Sequence, residues 1–252
     1  MGAAVSQSLD RGLSVLGALA RGTDTLDALA DELGVHKSTV LRLLRTLESQ
    51  HFVQREGQRH YRLGSALFDL ANRALEDRDV RRSAAPALAE LNARTGHTVH
   101  LAMHEDDEVV YVDKYEGRHS MRMYSRIGKR APLHCTAVGK VLVAALDPAR
   151  RAEVANALEY PALTENTITS APAYLAELER VAEQGYAVDN AEHEDFIHCI
   201  AAPVRGPGGA VLAAVSLSVP RVLLDYDGLV ALLPELTVAA ENASVHSGWT
   251  GQ

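Results

Sequence analysis

Two sets of residues in this chain have the types and the spacing to do chemistry. In the run VLAAVSLSV, residues Val211, Ala213, Val215, Leu217 and Val219 alternate along what reads as a strand, so they share a face that belongs to a core. Ser216 and Ser218 then share the other face, side by side at i, i+2. Cys199 lies on the preceding strand of the same hairpin. The run CTAVGK opens a helix, whose first N–H groups have no intrahelical acceptor and favour an anion. The small residues Ala137, Val138 and Gly139 let a ligand approach that backbone. Two hydroxyls, a thiol and a helix N-terminus suit a small organic acid; a solvent-facing strand side is the plain alternative for the two serines.

The second set lies in residues 26–50, which read as two short helices broken at Gly34. In the second helix Val40, Leu43, Leu44 and Leu47 follow the i, i+3, i+4, i+7 spacing of a buried stripe. Ser38, Arg42, Arg45 and Ser49 project on the opposite side within a wedge of about 60°. A helix anchored by leucines and presenting arginine and hydroxyl groups suits a DNA major groove, where such groups read base edges. His36, Lys37 and Thr39 belong to the same helix start. A solvated amphipathic helix is the commoner fate of the pattern, so the neighbours matter.

The segments around these residues supply positions for them. Residues 8–21 place Leu9, Leu13, Leu16, Leu19 and Ala20 at helical spacing, with Ser8 as N-cap; Thr25 or Asp24 can cap the next helix. Short strands over residues 52–55 and 60–63, around a turn at Glu56, Gly57 and Gln58, make a wing. Arg55, Arg59 and Arg62 sit there, where phosphates would be met. Residues 65–75 read as a linker helix whose Leu67, Leu70, Ala71 and Leu75 need a partner, a second copy being the simplest. After Gly96 come a hairpin (TVHLAMH, DEVVYVDKYEG), a strand SMRMYSRI, helices from about residues 136, 148 and 172, the closing hairpin around GPGG, and a last helix over residues 223–240. The expected fold is α+β: a winged helix-turn-helix domain over 1–63, a linker helix over 64–79, a domain with a mainly antiparallel sheet flanked by helices over 80–246, and a disordered tail over 247–252.

Charge is distributed to match. The net charge of −8 at first argues against a nucleic-acid partner, but residues 1–62 hold eight basic and seven acidic side chains, so the acidity belongs to the remaining 190 residues. Over residues 37–62 only Glu48 and Glu56 oppose the basic groups. With 47% apolar and 23% charged residues, no apolar run of the ~20 residues a membrane span needs, and no signal-peptide pattern, a cytoplasmic globular protein is expected. The two cysteines suggest no disulfide framework.

The runs SLDRGLSVL, HKSTVLRLLRTL and YRLG, followed in order by RAPLHCTAVGKVLVA, CIAAPVR and AVSLSV, resemble the IclR family of bacterial transcriptional regulators. The resemblance extends from about Leu9 to Val219. It implies a winged helix-turn-helix domain, a linker helix and a GAF-like effector-binding domain, in a dimer or tetramer on a palindromic operator. It carries effector contacts onto Ala137, Val138, Asp189, Cys199, Ser216 and Ser218, with Asp189 in a segment, VDNAEHEDF, that matches only loosely.

Other chemical signals are weaker. Gly139 and Lys140 form no P-loop, because His134 and Val141 occupy the positions where that motif needs Gly and Ser or Thr. His134 with Cys135, and His198 with Cys199, are sequence neighbours, which in a strand point to opposite faces and make no dyad. His97, His100, His104, His134, His193 and His198 show no zinc-finger-like spacing. No catalytic residue, cofactor or metal is therefore expected. The expected function is a ligand-responsive transcription factor for a metabolic operon. The alternatives are a metabolite-binding protein or enzyme with an incidental helical N-terminus, and a redox regulator using the Cys199 thiol.

Overall fold

The computed structural model describes residues 6–57, 59–76, 79–106, 108–119 and 125–251. They divide into two compact units, 1–77 and 78–252. Among the described residues no helix is long and apolar enough to cross a membrane.

The first unit holds α1 (Gln7–Arg21), α2 (Leu26–Leu33), α3 (Lys37–Ser49), the antiparallel pair β1 (Val53–Glu56) and β2 (His60–Leu63), and α4 (Ala66–Glu76). Helix α2 starts where the Thr25 hydroxyl accepts the Ala28 N–H and stops at Gly34, whose φ of 62° is a left-handed conformation that glycine adopts without strain. Thr25→Ala should therefore cost about 1 kcal/mol, read as a lower denaturation midpoint of this unit. Val15, Ala18, Leu19, Leu29, Ala30, Val40, Leu44, Val53 and Tyr61 form one core. The wing is tied to the α1–α2 turn, where the Tyr61 N–H donates to the Asp24 carbonyl at 2.8 Å.

Two expectations about α1 are corrected. Its N-cap is Ser6, not Ser8, and it buries Gly12, Val15, Ala18 and Leu19 while Leu9 and Leu13 stay exposed. The leucine stripe and the Gly12–Ala18 face are adjacent on the helix, and a small-residue face lets the helix approach its neighbours more closely. On α4, Leu67 is half-buried and Phe68, Leu70 and Ala71 are exposed; the side chain of Leu75 lies outside the description, as does Gln58 in the wing turn.

The second unit runs α5 (Asp79–Thr95), β3 (Thr98–Glu105), β4 (Glu108–Tyr115), β5 (Arg130–Ala131), α6 (Ala137–Ala144), α7 (Pro148–Ala157), α8 (Ala171–Gln184), β6 (Ala187–Asp189), β7 (Ile197–Arg205), β8 (Val211–Pro220), α9 (Tyr226–Val230) and α10 (Leu233–His246). Its strands form one antiparallel sheet in the order β5-β4-β3-β8-β7-β6. Each face carries its own apolar cluster. Leu88 and Leu91 of α5 and Leu236, Ala239 and Ala243 of α10 pack with Val99, Leu101, Val215, Leu217 and Val219 on one side. Val138, Val141 and Val143 of α6 and Tyr174 and Leu178 of α8 cover the other. This is the α+β, GAF-like layering expected of hairpins interleaved with helices.

Three details differ from expectation. The strand register shifts between Val204 and Arg205, so Val211 leaves the face of Ala213, Val215, Leu217 and Val219 and packs toward α6 and α8. The last helix is not one run over residues 223–240; α9 and α10 are separated at Ala231–Leu232, before Pro234, and α10 continues to His246. Beyond it, the Trp249 N–H still donates to the Ser244 carbonyl. Residues 120–124 of the expected strand SMRMYSRI lie outside the described residues, as do Asp77 and Arg78 at the domain boundary.

Candidate functional site

In the first unit α3 buries Val40 and Leu44 and leaves Ser38, Arg42, Arg45 and Ser49 exposed, with Thr39 half-buried. The helix starts on the imidazole of His36, whose Nδ1 accepts the Ser38 N–H and lies 2.8 Å from the Ser38 hydroxyl. Lys37 pairs with Asp27 of α2 at 2.9 Å, both exposed, a contact worth little in water. The two arginines of α3 border different grooves. Arg42 lies beside Leu9, Leu13, Leu43, Leu47 and Phe52, while Arg45 shares a groove with Glu48, Arg55, Arg59 and His60. Arg55 pairs with Tyr61 across the wing, and Arg62 pairs with Gln54, so Arg55 and Arg62 are on opposite faces of the two-stranded sheet. Arg62 is also 3.5 Å from Glu56. The wing arginines thus do not form a single cluster, because alternation along the strand separates odd from even positions.

The second unit brings Ala137, Val138, Asp189, Cys199, Ser216 and Ser218 to one cavity, lined also by His100, Tyr111, Ser125, Lys129, His193 and Glu194. Register explains the assembly. Asp189 pairs with Cys199, Cys199 with Ser218 and Ser218 with Thr98; in the next row Ala201 pairs with Ser216, Ser216 with His100 and His100 with Lys114. Paired residues face the same side, so five strands contribute to a polar strip on the face covered by α6. The strip is internally bonded. The Cys199 thiol donates to Ser218 Oγ at 3.2 Å; Ser218 Oγ lies 3.3 Å from His100 Nδ1; and His100 Nε2 lies 2.7 Å from Ser125 Oγ. The His100 ring packs on Tyr111 with centroids 4.8 Å apart.

Burial sets the electrostatics. Desolvation, then the Lys114 charge, lowers His100 to about 3, so its imidazole is neutral and offers one donor and one acceptor. Desolvation raises the Asp189 carboxyl to about 7, even though its Oδ1 accepts the Glu192 N–H at 2.7 Å. Burial pushes the Cys199 thiol well up and the Cys135 thiol to about 12, so both stay protonated; that favours a packing and hydrogen-bonding role over redox sensing. Above the strip, the Thr136 hydroxyl caps α6 by accepting the Gly139 N–H at 3.1 Å, and the N–H groups of Ala137 and Val138 in its first turn have no acceptor within the helix. Gly139 itself packs against Leu133 rather than lining the cavity, since a Cβ there would lie 2.4 Å from the Leu133 carbonyl oxygen. His134 and Cys135 are in a bend, not a strand, so the alternation argument does not apply to them. Among the described residues no three His, Cys, Asp or Glu side chains are placed to hold a metal.

His100, Tyr111, Ser125, Lys129, His193 and Glu194 are cavity residues that local sequence does not reveal. His100 alternates with Val99 and Leu101, which marks it as belonging to the second face of β3; only the pairing of β3 with β8 shows that this is also the Ser216 face.

Comparison with known proteins decides the family. Residues 72–245 match the model of the bacterial transcriptional regulator IclR C-terminal domain, and residues 8–57 match that of the IclR helix-turn-helix domain. The chain belongs to the IclR family. This IclR-family chain is 40% identical over 222 residues to the HTH-type transcriptional regulator KdgR of Escherichia coli (strain K12), covering 88% of the chain and 84% of that protein. The crystal structure of the Thermotoga maritima IclR superposes with a TM-score of 0.83 at 30% identity, over 96% of this chain and 99% of the other. An IclR homolog of Microbacterium hydrocarbonoxydans, crystallised in complex with 4-hydroxybenzoate, shares the fold at a TM-score of 0.81 and 24% identity, over 95% and 98% of the two chains. The IclR-family chain is a DNA-binding transcriptional regulator.

Proposed function

We propose that this regulator binds a palindromic operator of a metabolic operon as a dimer or tetramer and responds to a small organic acid held in the second unit. The observation that carries the effector assignment is the buried polar strip of Ser216, Ser218, Cys199 and Asp189 beneath the start of α6. A carboxylate fits the Ala137 and Val138 N–H groups, and the serines and Asp189 suit hydroxyl or carbonyl groups at its other end. The cavity volume of about 50 Å³ is several times the ~10–15 Å³ that one water needs, room for a few waters or a group of similar size such as a carboxylate.

In this reading residues 1–63 are the winged helix-turn-helix domain, 64–79 the linker helix, 80–246 the effector domain and 247–252 a tail. His36, Lys37, Ser38, Thr39, Arg42 and Arg45 meet the operator through α3, and Arg55, Arg59 and Arg62 meet phosphates from the wing. The exposed Phe68 and Leu70 of α4 support pairing with a second copy. The protein acts in the cytoplasm. Effector and operator influence one another through linkage: each prefers one arrangement of the paired chains.

Operator binding in the presence of a panel of small carboxylates tests the pocket. Ser216→Ala combined with Ser218→Ala removes two hydrogen-bonding groups worth ~0.5–1.5 kcal/mol each, so the apparent effector affinity should fall on the order of tenfold while effector-free operator binding is unchanged. An unchanged effector response in that variant would place the pocket elsewhere.

A further inference from the structure

Lys140, on α6, is 1% exposed, a rare place for an ammonium group. Its Nζ donates to the Val188 carbonyl at 2.8 Å and to Glu192 Oε1 at 2.6 Å, and lies 3.5 Å from Glu177 Oε1, whose other oxygen binds Arg180. Replacing a buried pair with neutral groups of the same size is often neutral or stabilising. Net stability is therefore a weak reason for these charges, and their geometry is the informative part.

The two groups that Lys140 holds flank Asp189. Val188 is its neighbour on β6, and the Glu192 N–H is the donor that fixes Asp189 Oδ1. Between them Ala191 has a φ of 57°, uncommon for a residue with a side chain, and the Asn190 N–H donates to the same Glu192 Oε1. From the other side the Thr164 hydroxyl donates to the Ala191 carbonyl at 2.7 Å and the Thr167 hydroxyl to the Glu192 carbonyl at 2.6 Å. The segment is thus clamped twice, and one clamp comes from α6. That same helix supplies Ala137 and Val138, the wall opposite Asp189, three and two residues before Lys140.

We infer that Lys140 is a positioning residue of the cavity: by holding the Val188 carbonyl and Glu192, it fixes the carboxyl group of Asp189 relative to the N-terminus of α6. A ligand spanning the two walls meets a separation that Lys140 sets without touching the ligand. The inference rests on the reading of this cavity as the effector site, but it can be tested without any effector.

The test uses the full-length chain in a Cys135→Ala background, which leaves Cys199 as the single thiol. Lys140→Met combined with Glu192→Gln replaces the pair with neutral side chains of similar volume. Three quantities are measured: the melting temperature, the titration of Asp189 by ¹³C NMR of aspartate-labelled protein (assigned with Asp189→Asn), and the rate at which iodoacetamide alkylates Cys199, the strand partner of Asp189. The parent should show Asp189 titrating at about 7. The double variant should melt close to the parent. Its Asp189 midpoint should nevertheless be higher, because the Glu192 N–H is no longer held in place, and its alkylation should be about threefold faster or more, since access governs a thiol's reactivity. A folded double variant that matches the parent in both titration and alkylation overturns the inference. Should the double variant fail to fold, Lys140→Met alone removes the donor of both ties and leaves Glu192 free to take up a proton, and it should give the same acceleration; a parental rate there overturns the inference equally. If instead these results hold and the Ser216, Ser218 variant keeps its effector response, the effector assignment falls while the positioning role stands.

Discussion

Gly139→Ala is expected to destabilise the second unit by about 2 kcal/mol or more, although alanine inside a helix normally gains about 1 kcal/mol over glycine. The clash decides the sign. A Cβ at this position would lie 2.4 Å from the Leu133 carbonyl oxygen, 2.7 Å from its Cα and 2.7 Å from Thr136 Oγ. None of the three can move cheaply. Leu133 is buried and its carbonyl accepts the Tyr174 hydroxyl at 3.0 Å, while Thr136 Oγ both caps α6 and donates to the Pro132 carbonyl. The helix start must shift instead, carrying Ala137 and Val138 away from the polar strip. Differential scanning calorimetry should show a fall of roughly 4–8 °C in the transition of this unit, from about 2–4 °C per kcal/mol at this size. The effector response should weaken with it. A variant at least as stable as the parent would show that the turn before α6 is softer than its contacts indicate.

The second large effect belongs to α3. Arg42→Ala should lower affinity for the operator by about 5- to 150-fold, the 1–3 kcal/mol of a good arginine–base contact, and change affinity for random DNA far less. Arg59→Ala should lower both together and reduce the salt slope by about 0.9, as expected when one phosphate contact is lost. Titrations on operator and random duplexes at several salt concentrations separate the two. Equal losses on both duplexes for Arg42→Ala would make it a phosphate contact. Because Arg42 and Arg45 border different grooves, the same titrations on Arg45→Ala show whether the side facing the wing reads bases or backbone.

Several features were legible because they depend on near neighbours in the chain. The leucines of α3 recur at helical spacing, Gly34 stands where a left-handed turn is needed, and Thr25 precedes a helix start; each is satisfied within a few residues of itself. The same locality made the expected cap at Ser8 wrong, and it placed the exposed Leu9 and Leu13 in one stripe with the buried Leu19. Leu9 and Leu13 obey the helical period, but which face is covered depends on what packs there, and the face of Gly12, Val15 and Ala18 is the one buried in the core. The bulge that turns Val211 away from Ala213 was likewise invisible, since it arises in the pairing with Val204 and Arg205 on another strand.

The cavity shows the same division more sharply. By itself the sequence determined that Ser216 and Ser218 share a strand face, that CTAVGK opens a helix and that Cys199 sits across the hairpin, because alternation and capping are properties of short segments. It also determined the family, since that information is spread over ordered motifs along most of the chain. Only the tertiary structure decided that His100 stands beside Ser216, that Asp189 completes the row with Cys199, and that Lys140 anchors the Asp189 segment. The Lys140–Glu192 and His100–Ser218 contacts join residues 52 and 118 positions apart. The physical reason is that sheet order and strand register are settled by the burial of two whole faces at once, and no local window of sequence contains both partners.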